Sequence, residues 1–127
     1  RIGNKMKKLI CHCGEVELEI KESERVLNKF LRCNCTLCKK KGYIMTFAPI
    51  TDVKITKGED KLKLYQYHTK VAEHYFCSEC GIYTHHKMRS RPDTFGLNVG
   101  CIDDIDQFKL ENVGLNDGQN HPMDQKK

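Results

Sequence analysis

The sequence predicts an all-β domain, a sandwich or barrel of short antiparallel strands with little helix. Three observations predict it. Glu15–Ile20 and Lys61–Tyr67 alternate in polarity, the period of a strand with one buried face. β-Prone runs follow one another at close spacing, with Gly, Pro, Asn or Asp marking turns between several of them. No stretch sustains the apolar spacing of an amphipathic helix.

Taken in order, Arg1–Lys8 is a loose basic extension, and Cys11-His12-Cys13-Gly14 is a turn by composition. In the strand Glu15–Ile20, Val16, Leu18 and Ile20 share one face. Val26–Leu31 reads as a strand ending at Cys33-Asn34-Cys35-Thr36-Leu37-Cys38, with Lys39, Lys40, Lys41 and Gly42 behind it. Tyr43–Ala48 is a strand stopped by Pro49. Val53–Ile55 is a short strand closed by Lys57-Gly58-Glu59-Asp60, and Lys61–Tyr67 sets Leu62 and Leu64 opposite Lys61, Lys63 and Tyr65. Glu73–Phe76 leads into Cys77-Ser78-Glu79-Cys80-Gly81, and Ile82–His86 leads out. Thr94–Ile102 is the last strand, with Gly96 and Gly100 marking a bulge or close packing. From Asp103 a brief helical turn carries Ile105 and Phe108. The expected organisation is an extension (1–8), one domain (9–111) and a polar tail (112–127).

Composition bounds what such a domain does. At 127 residues, 39% apolar and without Trp, it has a thin core and needs staples. The balance of 22 basic and 17 acidic residues gives +5, moderate and mixed, so a dedicated nucleic-acid binder is not expected. Apolar runs are too short for a membrane span. No charged-then-apolar leader opens the chain as given, so the expected setting is a reducing cytoplasm.

There the eight cysteines read as ligands or catalytic groups. Disulfides between such close neighbours close strained loops, and thioredoxin-like chemistry at Cys77 and Cys80 wants a βαβ setting that is missing. Zinc fits better, because thiolates bind it in tetrahedral sets. Gly14 and Gly81, after Cys13 and Cys80, supply the left-handed conformation of a tight turn. Four protein ligands make a closed structural site; three leave an open, catalytic position. The spacing favours Cys11, Cys13, Cys77 and Cys80 as the closed set and Cys33, Cys35 and Cys38 as the open one, since one compact segment already supplies three. Spacing alone does not fix which pairs meet.

The succession C-x-C-G, C-x-C-x-x-C followed by Lys and Gly, F-C-x-x-C-G and V-G-x-I-D-D resembles the glutathione-dependent formaldehyde-activating enzyme family, which includes the centromere protein V domain. The resemblance runs from Leu9 to Phe108. It implies a β-tent fold with two zinc ions per chain. One is structural, on Cys11, Cys13, Cys77 and Cys80; the second is labile, on Cys33, Cys35 and Cys38. It also implies a carbon–sulfur lyase-type activity resembling S-(hydroxymethyl)glutathione synthase.

The expected function is the joining of a small aldehyde to glutathione or a related thiol at the open zinc site, with Cys33, Cys35 and Cys38 as its catalytic centre. An open zinc lowers the pKa of an incoming thiol. Formaldehyde is small, so positioning and thiolate supply are most of the catalysis. Arg32, Lys39, Lys40 and Lys41 flank the centre and can attract the carboxylates of glutathione. The alternative is a non-catalytic zinc module for a protein or nucleic-acid partner. It ranks second because the charge is spread out and metal loading lowers it, seven thiolates outweighing two divalent cations.

Cys101 stands where the family usually carries Thr. It is either a fourth ligand at the open site or a small buried side chain, and the second reading is preferred. The stretch Thr84–Asp93 departs from the family pattern and marks a subfamily with another substrate. His85 and His86 face opposite sides of one strand, and either is a candidate proton shuttle. His12 points to solvent. No G-x-S-x-G or phosphate-cradling glycine loop occurs.

Overall fold

A computed structural model describes residues 6–21, 29–66, 70, 72–88 and 91–116. In chain order the elements are β1 (Met6–Ile10), β2 (Glu17–Lys21), β3 (Leu31–Cys33), α1 (Thr36–Lys41), β4 (Met45–Pro49), β5 (Val53–Lys57), β6 (Leu62–Tyr65), β7 (Glu73–Cys77), β8 (Tyr83–Lys87), β9 (Thr94–Asn98) and β10 (Gly114–Asn116). The fold is all-β, in two sheets. The smaller runs β1-β2-β5 and the larger β10-β3-β4-β9-β8-β7-β6. Neighbours are antiparallel except β10, which lies parallel to β3.

Alternation explains the smaller sheet. Leu18 and Ile20 of β2 are fully buried, and Leu18 lies opposite Leu9 of β1 and Ile55 of β5. A bridge between Leu9 and Ile102 ties this sheet to the segment after β9. Two apolar clusters result. One gathers Leu9, Cys11, Val16, Leu18, Ile20, Ala48, Cys77, Leu97 and Ile102. The other holds Cys38, Tyr43, Met45 and Tyr83, with Cys33 and Cys35 packed against it. Each cysteine set therefore sits against its own core.

Several elements differ from expectation. Met6–Lys8 belong to β1: Leu9 anchors the strand inward, while Lys8 meets Glu17 at 3.8 Å and Lys7 meets Asp104 at 3.4 Å. Residues 1–5 lie outside the described residues, as do Val26–Asn28 of the expected strand Val26–Leu31. Pro49 ends β4 from within, opposite Thr94, a terminal position where its missing N–H is tolerated. The alternation of Lys61–Tyr67 does not bury Leu64, which is 49% exposed because β6 is a sheet edge. β9 stops at Asn98, whose side chain accepts the Gly100 N–H at 3.1 Å and turns Val99–Cys101 into a 3₁₀ turn. The turn after Asp103 is also 3₁₀, Gln107–Lys109, and Phe108 faces solvent. Within the expected tail, Gly114–Asn116 form β10; residues 117–127 lie outside the described residues. Among the described residues no helix is long and apolar enough to cross a membrane.

Candidate functional site

Four sulfurs converge where the β1–β2 turn meets the β7–β8 turn. Those of Cys11, Cys13, Cys77 and Cys80 all lie within 4.8 Å of one another. Each turn is built the same way. Gly14 (φ 82°) and Gly81 (φ 78°) take the left-handed conformation, and their N–H groups donate to the carbonyls of Cys11 (3.2 Å) and Cys77 (2.7 Å). The Cys11 sulfur accepts the Val16 N–H and the Cys77 sulfur the Glu79 N–H, both at 3.3 Å. Cys13 Sγ stands 3.7 Å from both Cys11 Sγ and Cys77 Sγ. That is far too long for a disulfide. It matches the edge of a zinc–thiolate tetrahedron, about 3.8 Å for bonds of about 2.3 Å. The donor set fits a metal ion.

The second set is local. Cys33 ends β3, Cys35 is the N-cap of α1, and Cys38 lies in its first turn. The Cys35 sulfur accepts the Cys38 N–H at 3.3 Å, replacing the oxygen cap of an ordinary helix. Gly42 (φ 65°) closes the helix by donating to the Cys38 carbonyl at 2.9 Å. The three sulfurs lie within 4.8 Å of one another, and they too could hold a metal ion. The Cys38 thiol is pushed well up by its bonds with Cys33 and Cys35 and by burial. A cation held between the sulfurs would favour the Cys38 thiolate.

The surroundings of the second set come from α1, the loop after it, and the distant strands β7 and β8. The Tyr43 hydroxyl lies 3.6 Å from Cys38 Sγ and 3.4 Å from His86 Nδ1. Tyr83 OH is hydrogen-bonded to the same nitrogen. The Tyr43 and Tyr83 rings pack at 4.5 Å, and His74 stacks on His86 at 5.4 Å. Lys41 turns inward, its Nζ 3.5 Å from the Tyr83 ring centroid. Burial holds Lys41 down at about 8, against the upward pull of Cys38 and Cys35. Burial also pushes His86 down to about 3 and His74 to about 4, so both rings are neutral near pH 7. The same desolvation pushes both tyrosines up, so both stay protonated.

A family model described as "Glutathione-dependent formaldehyde-activating enzyme" matches residues 6–113. The chain belongs to that family. A relative from Emericella nidulans, named "Putative glutathione-dependent formaldehyde-activating enzyme", is 28% identical over 95 residues. The match takes in 72% of this chain and 47% of that protein, so the chain spans about half the length of that relative. A crystal structure of a Rhodobacter sphaeroides protein superposes with a TM-score of 0.80 at 38% identity, covering 86% of this chain and 99% of that one.

Against the family pattern, the structure separates the remaining candidates. Cys101 is not part of the three-sulfur set; it packs against the first core, with Asn98 Nδ2 3.5 Å from its sulfur. His85 and His86 do face opposite ways. His86 reaches the second set through Tyr43, whereas His85 stacks on Tyr75 at 4.8 Å and meets Phe95 edge-on at 5.0 Å. His12 is exposed. Of the flanking cations, Lys39 and Lys40 are exposed, and Arg32 donates to the Gly42 carbonyl at 3.0 Å. Sequence reasoning missed Tyr43 and Tyr83 and did not single out Lys41. Three apart on a regular strand, Tyr83 and His86 would face opposite sides; the register shift between β7 and β8 is what lets them meet, and nothing local announces it.

Proposed function

We propose that the chain joins a small aldehyde to glutathione or a related thiol at the centre formed by Cys33, Cys35 and Cys38. The observation that carries this reading is the contrast in donor number within a chain of this family: four sulfurs in one set, three in the other. The closed set, Cys11, Cys13, Cys77 and Cys80, would hold a structural zinc, and the three-sulfur set a second zinc with a position left for substrate. When bound there, zinc supplies Lewis acidity that favours the deprotonated form of an incoming thiol.

The chain's own residues supply the rest. As the thiol sulfur bonds to the aldehyde carbon, the carbonyl π pair moves onto oxygen. The thiol proton is balanced by protonation of that oxygen to give the hydroxymethyl thioether. Lys41, turned toward the Tyr43–Tyr83 pair with its pKa held near 8, would stabilise the developing oxyanion and return the proton. The buried Tyr43–Tyr83 wall excludes water from one side of the centre.

Exchange NMR of glutathione and formaldehyde with zinc-loaded protein tests the reading. Acceleration over the spontaneous exchange, abolished in Cys35→Ser and lowered about 100-fold in Lys41→Met, is the expected result. Equal rates with wild type, Cys35→Ser and no protein would refute it for this substrate pair.

A further inference from the structure

Tyr43, in the loop between α1 and β4, and Tyr83 and His86, both on β8, come together beside one sulfur of the second centre, which Tyr43 touches. The Tyr83 hydroxyl is hydrogen-bonded to His86 Nδ1, and the Tyr43 hydroxyl lies 3.4 Å from the same nitrogen and 3.6 Å from Cys38 Sγ. A thiolate carries no hydrogen, so in a hydrogen bond with a metal-bound Cys38 the Tyr43 hydroxyl is the donor. Cys38 Sγ is a soft acceptor, so a hydrogen bond to it is long and depends on the hydroxyl being held.

Packing holds the relay in one orientation. Tyr43 and Tyr83 are each 8% exposed and His86 6%. The His86 ring lies over Gly96 of β9, where an added Cβ would fall 2.1 Å from Cε1, so only glycine lets the ring sit there. Asn98 donates to the Tyr83 carbonyl at 2.8 Å and fixes that residue's backbone. His74 stacks on the other side. None of these groups is itself a sulfur ligand, and together they aim one hydroxyl.

We propose that Tyr43 is a positioning residue that donates a hydrogen bond to the Cys38 thiolate, oriented by the Tyr83–His86 pair, and so sets how strongly the second centre holds its metal. The proposal rests on reading Cys33, Cys35 and Cys38 as a metal centre. An outer hydrogen bond to a ligand spreads its charge and fixes its direction, and losing one costs about 10–100-fold in metal affinity. The role concerns affinity and ligand electronics, separate from the turnover assigned to Lys41.

The test uses the full chain loaded with Co²⁺, followed by its thiolate-to-metal charge-transfer absorption and by competition with a chelator. Tyr43→Phe keeps the ring that packs on Tyr83 and removes only the hydroxyl. The expected result is weaker binding of the second Co²⁺ by about 10–100-fold, with the first ion unaffected. The second ion's charge-transfer band should move to longer wavelength, because an unbonded thiolate gives up its electron more easily. His86→Leu should shift the band the same way, and His86→Asn, which keeps a nitrogen or oxygen near Nδ1, should restore it in part. Tyr43→Phe with His86→Leu should shift the band no further than Tyr43→Phe alone, the non-additivity of groups acting through one contact. An unchanged band and affinity in Tyr43→Phe, with wild type binding two Co²⁺, overturns the proposal and leaves the metal reading standing. A wild-type chain that binds one Co²⁺ or none overturns the metal reading and the proposal together.

Discussion

The two cysteine centres share a chemistry and differ in reach. Cys13 and Cys77, whose sulfurs are 3.7 Å apart, are separated by 64 residues in sequence. A metal there closes a long loop and ties the β1–β2 turn to the β7–β8 turn, against a core that includes Cys11 and Cys77 themselves. Closing a long loop removes much unfolded-chain entropy. Cys33, Cys35 and Cys38 run from the end of β3 into the first turn of α1, so a metal there would constrain little that α1 does not already constrain. On the proposed reading the first centre would act on stability and the second on chemistry.

Cys77→Ala should break this comparison most visibly. It removes a fully buried sulfur of the four-sulfur set, so on the proposed reading the metal's binding free energy would be lost from folding and a cavity left behind. The expected loss is at least several kcal/mol, read as a missing or strongly lowered thermal transition. Gly96→Ala should come next, because its new methyl group meets the His86 ring and must displace it. About 1–3 kcal/mol is expected in urea melts. The second centre should be disturbed with it.

Cys35→Ala should cost only about 1 kcal/mol through the lost helix cap, while metal content per chain falls from about two to about one. If Cys35→Ala and Cys77→Ala collapse alike in thermal melts, the division between the centres is wrong.

The last test sharpens the comparison through pH. His85 faces the first core's side of β8, and burial pushes it down to about 4 from 6.5. Its folded pKa is depressed, so in the window between about 6.5 and 4 the unfolded chain binds the proton that the folded chain refuses. Stability is therefore present above pH 6.5 and is lost as the pH falls through that window. His85→Gln should flatten the slope of unfolding free energy there by up to one proton, about 1.4 kcal/mol per pH unit. An unchanged slope, with metal content matched, would show that this ring does not contribute.

The strands with one buried face were legible because their period is local: Val16, Leu18 and Ile20 announce β2 without help from the rest of the chain. Edge strands were less so. Met6–Lys8 read as loose because two lysines in a row carry no apolar period, and β1 exists through its pairing with β2. The helix α1 was hidden because its cap is a cysteine, read as a ligand and not as a start signal.

What the sequence by itself determined is the chemistry and its grouping: seven cysteines in three short sets, two of them followed at once by a glycine free to turn left-handed. Such spans are too short for much else, so their geometry is nearly written in their spacing. Only the tertiary structure decided which sets meet, and which groups surround the three-sulfur set. Tyr83 and His86 reach Tyr43, which touches Cys38, because β8 is joined through β9 to β4, the strand that follows Tyr43. Pairings between strands tens of residues apart arise from burying whole faces together, a cooperative effect that no single segment encodes.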